Sequence, residues 1–375
     1  MLFVITLNSF MGKFSMPKTL AETVVNTNLG VKPDETVVID TWQHTLPLAS
    51  QLAYQVRKAG ALPLVTLETD EFWWKTLTEI PAENLRKPLR HNLALFDETD
   101  AAINIFGPED PQTYRSVQGS QMGALFESFQ RTMDKIRERK VRSIDLQVGS
   151  VTEQRAKTYG FNYEAWKKSV EEASNADYEK IAQLGKKIAR TLEHAKQVEV
   201  TSEGTRVKME IGAHPVFVED GIIDEEDRRR GFISTSIPAG YVTLAPKRGT
   251  TEGSFRSDMT VPLMGQLIKG ISWEFQKGRL VKSAAETNYD SFQKVYEPSS
   301  GDKDQVANLS IGLNQAVRPG FLSDNMSLGT VSIGIGENQN LSGENHSSFQ
   351  FQASLSRATV TADGTPIVHK GKLTV

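Results

Sequence analysis

Cysteine is absent from all 375 residues. That excludes disulfides, thiolate metal sites and a cysteine nucleophile together, and it leaves the redox compartment open. Histidine is scarce. The six are His44, His91, His194, His214, His346 and His369, and no two fall within five residues of each other, so no HxH or HExxH arrangement exists. No apolar run approaches the ~20 residues that span a bilayer. The opening Met1–Leu7 is apolar but lacks a positive n-region and a small-residue cleavage site, so it does not read as a signal peptide. Met16 is an alternative start. Net charge is lacking too: 43 basic against 46 acidic residues give −3. Nothing global therefore points to nucleic acid or a membrane surface. The expectation is a soluble, cytoplasmic protein with neither as partner. P-loop and GxSxG patterns are also missing.

What is present divides in two. Thr36-Val37-Val38-Ile39-Asp40 is a β-branched apolar run of the kind buried in parallel sheets. Leu46, Ala49, Leu52, Ala53 and Val56 then recur at helical spacing, and Gly60 stands where a helix would end. Further strands are expected at Leu62–Leu67, Ala102–Phe106 and Ser143–Val148. A helix is expected along Met122, Leu125, Phe126, Phe129, Met133 and Ile136, and a long helix or broken pair from Asn162 to His194. Near residue 197 the apolar period changes from 3.6 to 2. Val207, Met209 and Ile211 alternate with charged residues, as do Ile271, Trp273 and Phe275 with polar ones. Lys277-Gly278 and Asp363-Gly364 mark hairpin turns. The expected fold is α/β plus β-rich: a parallel-sheet α/β domain over 1–196, followed by a mainly antiparallel strand-rich domain over 197–375.

Four local features carry little chemistry. Asp224-Glu225-Glu226-Asp227 runs straight into Arg228-Arg229-Arg230 and reads as a solvated turn or a self-neutralising cluster. Gly334-Ile335-Gly336 lacks the following helix of a dinucleotide loop. His214 stands alone. Gly301-Asp302-Lys303-Asp304 lacks the spacing of a calcium loop.

Larger blocks, taken in order, say more. They are Gly221–Asp227, Ile237-Pro238-Ala239-Gly240-Tyr241 through Pro246, Gly301–Asp304 leading to Ile311-Gly312-Leu313-Asn314, and Leu328-Gly329-Thr330-Val331 leading to Ile335-Gly336-Glu337-Asn338. Gly30–Pro33 and Lys58–Ala61 match more loosely. Together the blocks resemble the aminopeptidase T/S family of two-metal exopeptidases over nearly the whole chain. The resemblance implies two divalent ions held by carboxylates and imidazoles, a metal-bound water as nucleophile, and a dimer built by the second domain.

Carried over position by position, that resemblance meets substitutions. The first metal-binding glutamate falls on Tyr241 and the second on Asn308. The histidine after Gly-Thr-Val falls on Ser332, and the final histidine-x-aspartate pair on Gln350 and Gln352. The supporting tyrosine has no counterpart in 339–348, where Glu344 and His346 could at best hold one ion. Mononuclear iron 2,5-dihydroxypyridine dioxygenases look like relatives on the same scaffold, but they too need the pair lost at Gln350 and Gln352. Neutral amides and hydroxyls cannot offset two dications. No metal, cofactor or catalytic residue is therefore expected. Tyr241, Asn308, Ser332, Gln350 and Gln352 are expected to line a vestigial cleft. The first functional expectation is a silent, pseudoenzyme-like homologue acting as a homo-oligomeric binding or assembly subunit, with a small polar ligand or peptide as partner. The alternatives are metal-free chemistry in the inherited cleft, and a true metal-dependent aminopeptidase with ligands elsewhere.

Overall fold

The computed structural model describes residues 19–105 and 107–374. Met1–Leu7, the start candidate Met16 and the strand-ending Phe106 lie outside the described residues.

Five parallel strands form the first sheet, in the spatial order Leu62–Glu68, Thr36–Trp42, Ala101–Asn104, Arg142–Leu146, Ser234–Ile237. Val37 and Ile39 turn one face toward Ala49, Leu52 and Val56 of the helix Leu46–Lys58. On the other face Ala102 packs with Phe96, Val141 and Ile136, the last from the helix Gly119–Arg139. The strand expected to reach Val148 stops at Leu146 and passes into a 3-10 turn, Gln147–Ser150. The segment Asn162–His194 is a broken pair, Tyr163–Ser174 and Tyr178–Glu193. The second helix is started by Asp177, whose carboxylate accepts the Lys180 N–H.

Beyond residue 197 the strands are antiparallel with one exception. Ser234–Ile237 runs parallel beside Arg142–Leu146, and Ile237 enters the apolar core of the first sheet. A four-residue strand carries no sign of the sheet it will join, so the period change did not reveal this crossing. The charge-dense segment also differs from a solvated turn: Glu225–Arg230 is a short helix, capped by Asp224 and Asp227 in reciprocal hydrogen bonds.

Two large antiparallel sheets and a two-stranded hairpin, Val261–Leu263 with Gln266–Ile268, complete the second half. One has eight strands, ordered Arg279–Ala284, Ser272–Gln276, Glu252–Arg256, Thr205–Glu210, Gln197–Ser202, Thr359–Ala362, Thr365–His369, Lys372–Leu373. The other has five, ordered Gln350–Leu355, Val331–Gly336, Val306–Gly312, Tyr241–Leu244, Phe217–Glu219. Between them lies the main core. Val242, Leu309, Ile311, Val331, Ile333, Ile335 and Leu355 meet Phe255, Trp273 and Phe275, with Ile181, Ile188 and Leu192 of the helix Tyr178–Glu193 closing one side. Among the described residues no helix is long and apolar enough to cross a membrane.

Gly185 shows how closely that helix approaches its sheet. A Cβ there would sit 2.3 Å from Cγ1 of Val218. Alanine gains about 1 kcal/mol of helix propensity over glycine, while overpacking costs about 1–3 kcal/mol. Gly185→Ala should therefore lower the denaturant midpoint, and adding Val218→Ala should restore part of the loss. A rise in the midpoint for the single variant would refute this packing.

Candidate functional site

The five-stranded antiparallel sheet has two unlike faces because its register keeps odd and even residues apart across all strands. The face opposite the apolar core carries Gln350, Gln352 and Ser354 on the first strand in spatial order. Ser332 and Gly334 follow on the second, Asn308 and Ser310 on the third, Tyr241 and Thr243 on the fourth, and Glu219 on the fifth. Ser310 stands opposite both Thr243 and Ser332, Ser332 opposite Ser354, Gly334 between Asn308 and Gln352, and Tyr241 opposite Glu219.

These groups bond to one another. Nδ2 of Asn308 donates to Oγ of Ser310 at 2.7 Å, which donates to Oγ1 of Thr243 at 2.9 Å. The hydroxyls of Ser332 and Ser354 share a hydrogen bond of 2.8 Å. Gly334 makes room for Asn308, since a Cβ there would lie 2.0 Å from its Oδ1. A cavity of about 330 Å³ opens above this face, with Tyr241, Thr243, Asn308, Asn325, Asn340, Gln350 and Gln352 in its walls. Four of the five carried-over positions thus line one space. Ser332 does not: it is fully buried beside it, held by Ser354.

A second cavity of about 270 Å³ adjoins the first, and Ser234 and Tyr241 line both. It sits at the carboxyl ends of the parallel strands, where open α/β sheets place their ligands. There the parallel register sets Thr66, Asp40, Asn104, Asp145 and Ser236 in one row across the sheet. Asn104 donates to Asp145 at 2.8 Å, and the Thr66 hydroxyl donates to Asp40. Burial raises the Asp40 carboxyl above the usual range. Asp145 is walled in by the cleft yet open to water; enclosure raises its carboxyl and the Asn104 bond pulls it back. Glu219 faces this row from the other sheet and is 1% exposed. Thr235 donates its hydroxyl to Glu219, the Ser236 N–H lies at 3.3 Å, and burial pushes the carboxyl up to about 8. Burial also holds the Tyr241 phenol well above its ordinary value, reinforced by Glu219 and Asp145.

The acids at 40, 145 and 219 and the amide at 104 were not singled out from the sequence. Three of them had a readable signal, a polar residue ending an apolar strand: Ile39-Asp40, Ile103-Asn104 and Ile144-Asp145. Other acidic features are spoken for. Asp302 pairs with Arg248 and Asp304 with Arg279. His346 lies 3.6 Å from Asp134, away from the cleft walls. Among the described residues no three His, Asp or Glu side chains converge as a group able to hold a metal ion.

Glu219 makes stability depend on pH. Its folded value near 8 stands above the 4.5 of a free glutamate. Between those values the unfolded chain is ionised while the folded one keeps the proton. Its contribution is therefore intact below pH 4.5 and is lost as pH rises toward 8. The titratable groups facing it are Asp220, Tyr178 and Tyr241. Glu219→Gln keeps an acceptor for Thr235 and removes the ionisation. Its Tm should match the parent near pH 5 and exceed it by several degrees near pH 8, as read by thermal unfolding. Equal Tm values at both pH values would contradict the assignment.

Comparison with known proteins follows the same lines. Residues 16–312 match the model of a family described as thermophilic metalloprotease (M29). Wild-type AmpT from Thermus thermophilus superposes with a TM-score of 0.71 at 17% identity, over 95% of this chain and 98% of that one. The 2,5-dihydroxypyridine dioxygenase of Pseudomonas putida KT2440 superposes with a TM-score of 0.61 at 13% identity, over 95% and 96%. At these identities the two likenesses speak for the fold. No curated protein matches the chain. A parallel α/β sheet joined to a large antiparallel half, with a match over most of its length, places this chain in the thermophilic metalloprotease (M29) family.

Proposed function

We propose that this chain is a catalytically silent member of its family, a cytoplasmic binding or assembly subunit whose cleft holds a small polar ligand without a metal ion. One observation carries the reading: the positions that the family resemblance assigns to metal ligands are all neutral here, and two of them, Asn308 and Ser332, are hydrogen-bonded to neighbouring hydroxyls. A two-metal site needs carboxylates and imidazoles to offset four positive charges. Asn308 instead turns an N–H donor toward Ser310, and the Ser332 hydroxyl is engaged by Ser354. A metal ion takes lone pairs, and these contacts offer protons or spend the lone pairs elsewhere. The residues do not fit the metal centre that the family name implies.

A second reading, metal-free chemistry in the same cleft, draws on Glu219. A buried carboxyl near 8 beside a tyrosine is the kind of group that moves protons at neutral pH. The first reading is preferred because the hydroxyl bonded to Glu219, that of Thr235, is buried and spent in that bond.

Metal analysis of the purified protein, with a leucine-peptide hydrolysis assay on the same sample, tests both. The expected outcome is less than one bound metal per chain and no turnover. About two metals per chain with turnover would overturn both readings. The assembly role predicts a dimer or larger species by light scattering at micromolar concentration. A species of 41.6 kDa alone would overturn it.

A further inference from the structure

The two adjoining cavities have an unusual balance of hydrogen-bonding groups. No Lys, Arg or His lines either one, although the chain has 43 lysines and arginines. Two carboxylates do, Asp145 and Glu219. Glu219 is almost wholly buried, and among the described residues the charged group that acts on its carboxyl is another acid, Asp220. Without a counter-charge Glu219 keeps its proton up to about pH 8, and an ammonium group beside it would favour its charged form.

The neighbouring cavity repeats the imbalance in neutral form. Asn308 is 6% exposed and its Nδ2 is used by Ser310, yet its Oδ1 accepts no hydrogen bond among the described residues. An acceptor on so buried a residue is ordinarily paired, by protein or by a bound molecule. The Asp145–Glu219 end therefore lacks a charged donor, and the Asn308 oxygen at the amide end lacks a partner. Tyr241 and Ser234 join the two.

We propose that the cleft binds a small hydroxylated primary amine, its ammonium between Asp145 and Glu219 and its hydroxyls donating to the open amide oxygen of Asn308. This rests on the metal-free reading above and names its ligand class. An ammonium group brings three donors and a positive charge to the acidic end. Hydroxyls both donate and accept, so they can also return a bond to the N–H groups of Gln350 and Gln352. The two volumes, about 270 and 330 Å³, suit a molecule of monosaccharide size.

Isothermal titration with glucosamine, N-acetylglucosamine, glucose and leucinamide tests the proposal, on protein whose metal content has been measured. Glucosamine should bind. N-acetylglucosamine, which has the hydroxyls without the charge, should bind at least about ten-fold more weakly. Leucinamide, which has the charge without the hydroxyls, should also bind more weakly than glucosamine. Asp145→Asn combined with Glu219→Gln should erase the preference for glucosamine over glucose, with an unfolding curve confirming that the variant folds. Equal affinity for the amine and its acetyl form, tighter binding of leucinamide, or no heat from glucosamine up to about 10 mM would each overturn the ligand class. Those results would leave the metal-free reading standing if the protein holds no metal. Two metals per chain with peptide turnover would remove that reading itself.

Discussion

The five-stranded antiparallel sheet, buried on both faces, is the constraint on which the rest of this molecule depends. Its alternation sends Val242, Leu309, Ile311, Ile333 and Leu355 into the main apolar core and Tyr241, Thr243, Asn308, Ser310 and Ser332 to the opposite, polar face. Burial of the first set holds the two antiparallel sheets together at roughly 25 cal/mol per Å² of apolar surface. That same burial locks the register, because a one-residue slip would drive serines into the core and isoleucines into the cleft. Site and stability are thus two faces of one pairing pattern.

The polar face survives burial because its members answer one another. A run from Asn308 through Ser310 to Thr243, and the pair Ser332–Ser354, turn potentially costly groups into a network that adds modest stability. Where the network ends, the cleft begins. Glu219 and Asp145, which line the cleft with no cation among its walls, lie where the parallel sheet and the polar face meet. The short strand Ser234–Ile237 is central to that meeting. It adds the last strand to the parallel sheet while Thr235 and Ser236 hold the Glu219 carboxyl.

Scaffold and chemistry separate cleanly in this chain. A fold shared at 17% and 13% identity with an aminopeptidase and a dioxygenase supports very different reactions in those proteins, so fold alone assigns none here. Function follows from which side chains stand on the shared frame. Here they are amides, hydroxyls and two poorly compensated acids.

The amino-acid sequence by itself was enough for the fold class. The β-branched run at Thr36–Asp40 and the two-residue alternation after residue 197 report local burial directly, because period and burial are set along the chain, whereas the apolar run Leu62–Leu67 forms an edge strand whose leucines stay exposed. Gln350 and Gln352 were legible as one face of one strand for the same reason. Only tertiary structure decided that Asn308 and Tyr241 join them while Ser332 sinks beneath, since pairing between distant strands leaves no local mark. Asp145 and Glu219, 74 residues apart in the chain, show it most plainly. Neither stands out in its own segment, and each gains its chemistry from the low-dielectric cleft that the other's sheet closes over it.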